Sequence, residues 1–219
     1  MTNLIACYLA GNCEKTLDLS LRSIYQHVDK IVVVYDTTSK DSTEAILLRW
    51  QKDIGDKLVI LPRPYSHDYS IKTANGDARN LYLDYIKEHF MNDWCLVLDA
   101  DEVVGDGIET LKDNLLKLDQ SQQYLISVKM IHFVGDLFHE DATYPEHFVQ
   151  NRLFKINQEL LYPATEHPIL NSTNSETIIM KAFIPIIYHF AYAGEMFYIL
   201  NRYKNHLAKS EIHSESYLK

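Results

Sequence analysis

The chain has 219 residues, 47% of them hydrophobic, and a formal net charge of −9 at pH 7. This composition predicts a folded globular protein, and the acidic balance argues against a protein that binds the phosphate backbone of nucleic acids. No apolar run approaches the roughly 18 residues that a membrane-spanning helix needs, so we expect no transmembrane segment.

The N-terminal residues and the cysteines both favour a reducing compartment. The chain begins without a basic segment, and Gly11 and Asn12 interrupt the first apolar run too early for a secretory signal. Of the three cysteines, Cys7 and Cys95 lie in apolar runs and are expected to be core residues. We therefore expect a cytoplasmic protein, and the sequence leaves open whether the chain is one domain of a longer one.

The first half of the chain alternates short apolar runs with segments of helical periodicity. Four strands are predicted, at Leu4–Leu9, Lys30–Tyr35, Lys57–Leu61 and Trp94–Leu98. Helices are predicted between them, at residues 16–28, 42–53 and 77–89. Pro62 has no N–H to donate and is expected to end the third strand. Such alternation predicts an α/β protein with a mostly parallel, doubly wound sheet.

The second half is less regular. A helix is predicted at Leu111–Leu118, strands at Tyr124–His132, Arg152–Ile156 and Ile178–His189, and an amphipathic helix at Glu195–Lys209. Because neither a repeat nor a linker interrupts the chain, we expect a single domain over residues 1–219. Residues 1–104 would hold a nucleotide and residues 105–219 an acceptor.

Three acidic residues follow the fourth strand, in Asp99-Ala100-Asp101-Glu102. Unpaired carboxylates cannot continue into an apolar core, so they are expected at the carboxyl end of the strand, where open α/β sheets bind ligands. Asp99 and Asp101, one residue apart, suit a hard divalent cation that takes oxygen ligands. The alternative is an acidic turn that caps the following helix.

Two further charged residues occupy positions typical of nucleotide contacts. Asp36 ends the second strand and could accept a hydrogen bond from a base or a ribose, although an Asx-turn would also place an aspartate there. Arg79 lies at a predicted helix start, where it could reach a diphosphate, and its alternative is a structural ion pair with Asp77 or Asp99. Leu9 ends the first strand, and no glycine-rich phosphate loop follows it.

Histidines and carboxylates of the second half supply the remaining candidates. His189, at a strand end, could be a third metal ligand, although a satisfied polar residue is the commoner case. Glu166 is the leading candidate for a general base acting on a hydroxyl group. Three other carboxylates compete for that role: Glu140, Asp141 and Glu146. The other histidines of this region are expected to be mostly solvated: His132, His139 and His147.

Four segments together resemble the family 2 type of nucleotide-sugar glycosyltransferases. The opening strand of that family, followed by Asn-Glu-Glu, resembles Leu4–Glu14, and its Asp-x-x-Ser-x-Asp-x-Thr resembles Asp36–Thr43. Its Ala-Arg-Asn is matched by Ala78–Asn80, and its Leu-Asp-Ala-Asp-Glu is matched letter for letter by Leu98–Glu102. The order and spacing of these segments over about 100 residues make the resemblance specific.

This resemblance implies the GT-A fold, with a mostly parallel central sheet flanked by helices and a smaller mixed sheet on the acceptor side. It implies a nucleoside-diphosphate sugar as donor, UDP-sugar being favoured, and a carbohydrate or glycoconjugate as acceptor. Donor contacts are expected from Leu9, Asp36, Asp77, Arg79 and Asp99. The implied ligands of Mn²⁺ or Mg²⁺ are Asp99, Asp101 and His189.

The acceptor segment departs from the family pattern. Where relatives have His-Glu, this chain has Glu166-His167-Pro168, which leaves Glu166 as the leading candidate base. Direct displacement by the acceptor hydroxyl would invert the anomeric centre, and we expect inversion.

Two other classes of protein compete with this interpretation. A phosphatase of the haloacid dehalogenase type also has a strand-end Asp-x-Asp, in which Asp99 would be the nucleophile and Asp101 the general acid. In that family the motif normally ends the first strand, whereas three strand–helix units precede it here. A non-catalytic module that binds nucleotide sugars is the other alternative.

Overall fold

An eight-stranded sheet organises the computed structural model, which describes residues 2–64, 74–136, 138–141, 149–163 and 169–193. Its strands, with those of a two-stranded sheet, are β1 (Leu4–Ala10), β2 (Lys30–Asp36), β3 (Leu58–Arg63), β4 (Trp94–Asp99), β5 (Glu102–Val104), β6 (Tyr124–Gly135), β7 (Val149–Lys155), β8 (Leu160–Leu161), β9 (Asn171–Ser172) and β10 (Ile178–Ala193). The helices are α1 (Leu17–Ile24), α2 (Thr43–Ile54), α3 (Ala74–His89) and α4 (Leu111–Leu116), with short 3-10 segments at Gly55–Lys57 and Ile108–Thr110.

The strand order in the large sheet is β3-β2-β1-β4-β7-β6-β10-β5. The first four strands are parallel, β7 is antiparallel to both of its neighbours, and β5 is antiparallel to β10. The chain moves from β1 outward to β3 and then returns to the other side of β1 with β4. A crevice therefore opens between the carboxyl ends of β1 and β4, where such sheets bind ligands.

Helices cover both faces of this sheet, because consecutive residues of its inner strands are apolar and point to opposite sides. Ile5 and Cys7 of β1 pack with Tyr82 and Ile86 of α3. The other face of the sheet packs against α1, α2 and α4 and includes Trp94 of β4. Burial on both faces explains why these strands are continuous apolar runs, as parallel strands usually are.

The structure corrects several boundaries predicted from the sequence, among them the ends of two strands. Strand β3 does not end at Pro62 but continues to Arg63, because β3 is an edge strand and a missing N–H is tolerated on its open side. Strand β6 continues past His132, where the predicted strand ends, to Gly135, and His132 is only 6% exposed. The expectation that His132 is solvated is therefore wrong.

Three other expectations concern the cysteines, the C-terminal helix and membrane-spanning segments. Cys7 and Cys95 are free and buried, as predicted. The amphipathic helix predicted at Glu195–Lys209 lies outside the described residues. Among the helices that the structure describes, none combines the length and the hydrophobicity needed to cross a bilayer.

Gly107 allows the turn after β5 to pack tightly against β10. Its φ is +92°, and a Cβ at this position would lie 2.7 Å from Cβ of Ile184. Gly135 also has a positive φ, +80°, but a Cβ there would meet nothing within 4 Å. We expect Gly107→Ala to lower the free energy of unfolding by about 1–3 kcal/mol more than Gly135→Ala, because only the first adds overpacking to the backbone strain. Urea unfolding of both variants measures this difference, and equal losses would contradict it.

Candidate active site

Three of the residues predicted to contact a donor lie at one edge of the sheet. Asp36 ends β2 and Asp99 ends β4, and Leu9 of β1 is the register partner of Asp99. This common edge follows from the parallel pairing of the strands, since parallel strands present their carboxyl ends together. The edge coincides with the crevice between β1 and β4.

Asp36 is fully buried and shapes the loop that follows β2. Its Oδ1 accepts hydrogen bonds from the backbone N–H of Thr38, at 2.9 Å, and from the Thr38 hydroxyl, at 2.7 Å. This is the Asx-turn that the sequence analysis offered as the alternative. The predicted contact of Asp36 with a base or ribose stays a prediction.

Arg79 forms the ion pair with Asp99, not with Asp77. Nη2 of Arg79 lies 2.6 Å from Oδ1 of Asp99, and Asp77 is exposed in the first turn of α3. The helix begins at Ala74, three residues earlier than predicted, so Arg79 is no longer at a helix start. Arg79 therefore has no first-turn N–H groups beside it, and its predicted contact with a diphosphate stays a prediction.

Arg152 and Glu102 complete a buried ion cluster that the sequence analysis did not identify. Nη2 of Arg152, on β7, lies 2.7 Å from Oδ2 of Asp99 and 2.5 Å from Oε1 of Glu102. Oε2 of Glu102 accepts a hydrogen bond from the backbone N–H of Asp99 at 2.8 Å. Glu102 is fully buried, and the Arg152 side chain is 8% exposed. The sequence signal for this cluster was the position of Arg152 directly before the apolar residues Leu153 and Phe154. A cation in a buried strand requires an anionic partner.

The cluster shifts the pKa values of its two paired carboxyl groups in opposite directions. Burial would raise the pKa of Asp99, but the charges of Arg152 and Arg79 outweigh burial and hold that pKa well below its ordinary value. Burial raises the pKa of Glu102 to about 8, although Arg152 opposes this shift. Asp99 is thus firmly ionised, and both of its oxygen atoms accept a hydrogen bond from an arginine.

Asp101 and His189 are brought together by the pairing of β5 with β10. His189 is the register partner of Glu102, and the backbone N–H of Phe190 donates to the carbonyl of Asp101 at 2.9 Å. Nε2 of His189 lies 3.6 Å from Oδ1 of Asp101, and the two side chains are 16% and 11% exposed. Two of the three predicted metal ligands, Asp101 and His189, therefore lie side by side in space, although 88 positions separate them in the sequence.

His132 lies directly behind His189. The two histidines are register partners in the parallel pair of β6 and β10, and their Nδ1 atoms are 2.8 Å apart. Burial and the neighbouring His189 lower the pKa of His132 to about 4, so its ring is neutral at pH 7. This contact was not predicted from the sequence. The sequence signal for its burial was spacing: Val128, Met130 and His132 are every second residue of one strand, so they share a face, and the first two are buried apolar residues.

The acceptor side is described only in part. Glu166 and Glu146 lie outside the described residues, as does His147. Glu140 and His139 are exposed, and the expectation that His139 is solvated is confirmed. The segment that leads to residue 164 is anchored on α3. Asn80 donates from Nδ2 to the carbonyl of Tyr162 at 2.9 Å and accepts from its N–H at 3.0 Å.

Removal of Arg152 is expected to destabilise the protein strongly. Arg152→Met would remove the buried cation that Asp99 and Glu102 share, so we expect a loss of about 3–5 kcal/mol in the free energy of unfolding, measured in urea. Arg22→Met is the matched control, because Arg22 pairs with Asp18 on the surface and its side chain is 62% exposed. That variant should change the stability little.

The double variant Arg152→Met, Glu102→Leu tests the cause of this loss. If the buried carboxyl group of Glu102, left without its partner, is responsible, the double variant should recover most of the stability that the single variant loses. A double variant no more stable than the single one would instead assign the loss to packing around Arg152.

Comparison with solved structures finds proteins of the same architecture. S. aureus TarS, solved as residues 1–349, matches 85% of this chain and 60% of its own, with a TM-score of 0.55 and 16% sequence identity. The mannosyltransferase PcManGT from Pyrobaculum calidifontis, in complex with GDP-Man and Mn²⁺, matches 98% of this chain and 64% of its own, with a TM-score of 0.56 and 15% identity. The chain thus spans less than two thirds of each of these structures.

Neither protein-family models nor curated proteins match this sequence. At identities of 15–16%, the structural matches bear on the fold. They confirm the fold predicted from the sequence: this chain has the GT-A fold, with a large central sheet of mostly parallel strands flanked by helices and a small second sheet.

Proposed function

We propose that this protein is a metal-dependent glycosyltransferase. It would transfer a sugar from a nucleoside-diphosphate sugar, with UDP-sugar favoured, to a hydroxyl group of a glycan or another acceptor, with inversion. The observation that carries the proposal is the convergence of Asp36, Asp99, Asp101 and His189 at the carboxyl edge of a GT-A sheet. The mannosyltransferase with GDP-Man and Mn²⁺ supports this donor class and a metal.

The geometry of Asp101 and His189 fits a divalent cation such as Mn²⁺ or Mg²⁺. Adjacent ligands that each lie about 2.1 Å from one octahedral ion are about 3.0 Å apart. These two donor atoms are 3.6 Å apart, so a small rotation of either side chain brings them to that spacing. Within the described ranges, no three His, Cys, Asp or Glu side chains group closely enough to enclose an ion. Such an open site suits an ion that takes its other ligands from substrate phosphates and water.

Asp99 has a different relation to this site. Because Arg79 and Arg152 each hold one of its oxygen atoms, Asp99 could join as a third metal ligand only if one of these ion pairs opened. We propose that Asp99 mainly orients Arg79 toward the diphosphate and faces the ribose. Asp101 and His189 would then be the direct ligands.

The other residues would bind and orient the two substrates. Asp36 would accept a hydrogen bond from the base or the ribose, and Leu9 and Asp77 would border the donor. Bound Mn²⁺ or Mg²⁺ would supply Lewis-acid stabilisation of the charge that develops on the departing diphosphate. Glu166, four residues beyond the Tyr162 that Asn80 anchors, would take the proton of the acceptor hydroxyl as this oxygen attacks the anomeric carbon.

Residues 1–104 would form the donor lobe and residues 105–219 the acceptor lobe of a single domain. His189 and Arg152 lie in the second lobe but contact Asp101 and Asp99 of the first. The two parts would therefore build one site together.

The phosphatase alternative is disfavoured by the surroundings of Asp99. A nucleophilic carboxylate needs an accessible oxygen, whereas both oxygens of Asp99 are engaged by guanidinium groups. The GT-A fold also places Asp99 on the fourth strand rather than the first. A non-catalytic nucleotide-sugar-binding module would share the donor geometry, so only turnover separates it from the enzyme.

Asp101→Asn tests the proposal. With the wild-type protein, we expect UDP- or GDP-sugars to raise the melting temperature only when Mn²⁺ is present, and we expect slow Mn²⁺-dependent release of the nucleoside diphosphate. Asp101→Asn should weaken donor binding in the presence of Mn²⁺ by at least about tenfold, because even residues behind metal ligands contribute that much. Isothermal titration calorimetry measures the affinity.

Asp106→Asn is the matched control, since Asp106 is exposed and lies nearby in the chain, and it should behave as wild type. Stabilisation of the wild-type protein by phosphomonoesters alone, with hydrolysis of p-nitrophenyl phosphate, would move the assignment to a phosphatase. Metal-dependent donor binding without any release of nucleoside diphosphate, in the presence of a panel of glycan acceptors, would indicate a binding module.

A further inference from the structure

The contact between His132 and His189 constrains where the ring protons of both histidines lie. Their Nδ1 atoms are 2.8 Å apart, and the rings are nearly perpendicular, with an interplanar angle of 73° and centroids 4.7 Å apart. At this distance the two nitrogens share a single proton, since two protons would clash and two lone pairs would repel. One histidine therefore donates and the other accepts.

Only one of the two arrangements lets His189 bind a cation. If His189 donates from Nδ1, its Nε2 carries a lone pair that faces Oδ1 of Asp101, 3.6 Å away. If His189 accepts at Nδ1, a neutral ring carries its proton on Nε2, and this proton blocks the position of the cation. A ligand histidine generally donates its other ring N–H to a nearby acceptor, which fixes both the tautomer and the ring orientation.

We infer that His132 is a positioning residue for the cation site: its Nδ1 accepts the Nδ1 proton of His189 and so directs the Nε2 lone pair of His189 toward a divalent cation shared with Asp101. This inference rests on the proposed function, because it assumes the cation.

The backbone supports this role independently of the protons. His132 and His189 are register partners in the parallel pair of β6 and β10, so their side chains leave the sheet on the same face. His132 is 6% exposed and the His189 side chain 16%, so His132 is the more buried of the two, and Nε2 of His189 faces Asp101. A rigid strand pair behind a ligand holds it more precisely than a loop would.

Two amide substitutions at residue 132 separate positioning from mere packing. In His132→Asn, the side-chain oxygen is attached to Cγ, as Nδ1 is in histidine, and can accept the proton of His189. In His132→Gln, the amide lies one bond further out, near the former Nε2, and misses it. Both side chains are polar and uncharged, so a purely structural role predicts similar effects from the two.

The readout is the affinity for Mn²⁺ alone, measured by electron paramagnetic resonance titration of the free ion. We expect His132→Asn to stay within about threefold of wild type and His132→Gln to lose about 10–100-fold, the range typical of residues behind a metal ligand. His139→Asn is the matched control, because His139 is exposed and bonds Asp136 at the surface, and it should not change the affinity. Melting curves without metal verify that each variant is folded.

Three results would overturn the inference, and they differ in what they say of the proposed function. If wild type binds Mn²⁺ and the Asn and Gln variants bind it equally well or equally poorly, His132 is not a positioning residue, but the metal-dependent transferase stands. If only His132→Gln keeps its affinity, His189 uses the opposite tautomer. If wild type itself does not bind Mn²⁺, with or without UDP, the metal site fails together with this inference.

Discussion

The burial of one carboxyl group, that of Glu102, constrains the charges around the candidate site. Burial raises its pKa to about 8, so Glu102 is largely protonated at pH 7, and whenever it ionises the buried carboxylate needs a cation beside it. That cation is Arg152, and the same nitrogen, Nη2, also bonds Asp99. Arg79 holds the second oxygen of Asp99. Arg152, on β7, thus links Asp99 to Glu102 through one nitrogen, and Asp99 is held between two arginines.

Two adjacent residues of α3 connect the donor edge with the acceptor segment. Arg79 pairs with Asp99, and its guanidinium also lies over the ring of Tyr162, 5.8 Å from the ring centre. Asn80 holds the backbone of Tyr162 through two hydrogen bonds. If a bound diphosphate displaced Arg79, the contacts of α3 with Tyr162 would therefore change as well. Tyr162 lies four residues before Glu166, our proposed catalytic base. The Ala-Arg-Asn motif thus does more than supply the charge of its arginine, because its asparagine holds the backbone of the acceptor segment in place.

The sequence was most informative where structure is local. The carboxylates Asp36, Asp99 and Asp101 were identified because an apolar run that ends in an acid marks a strand end, and strand ends of a parallel sheet share one edge. Arg152 and His132 were missed because their burial depends on pairing with strands tens of residues away, which no local pattern encodes. For the same reason, the partner of Arg79 could be narrowed to Asp77 or Asp99 but not decided.

The charge of the site gives a physical reason for a metal in an acidic protein. The donor that we propose is an anion, and the chain carries a net charge of −9. Arg79 and Arg152 pair with Asp99, Asp101 follows two residues later, and Glu102 adds a further negative charge whenever it is ionised. The group therefore has no surplus positive charge with which to attract a diphosphate, since its arginines are already neutralised. A divalent cation between Asp101 and His189 would reverse that balance, so donor affinity should depend on the metal even though two arginines lie at the site.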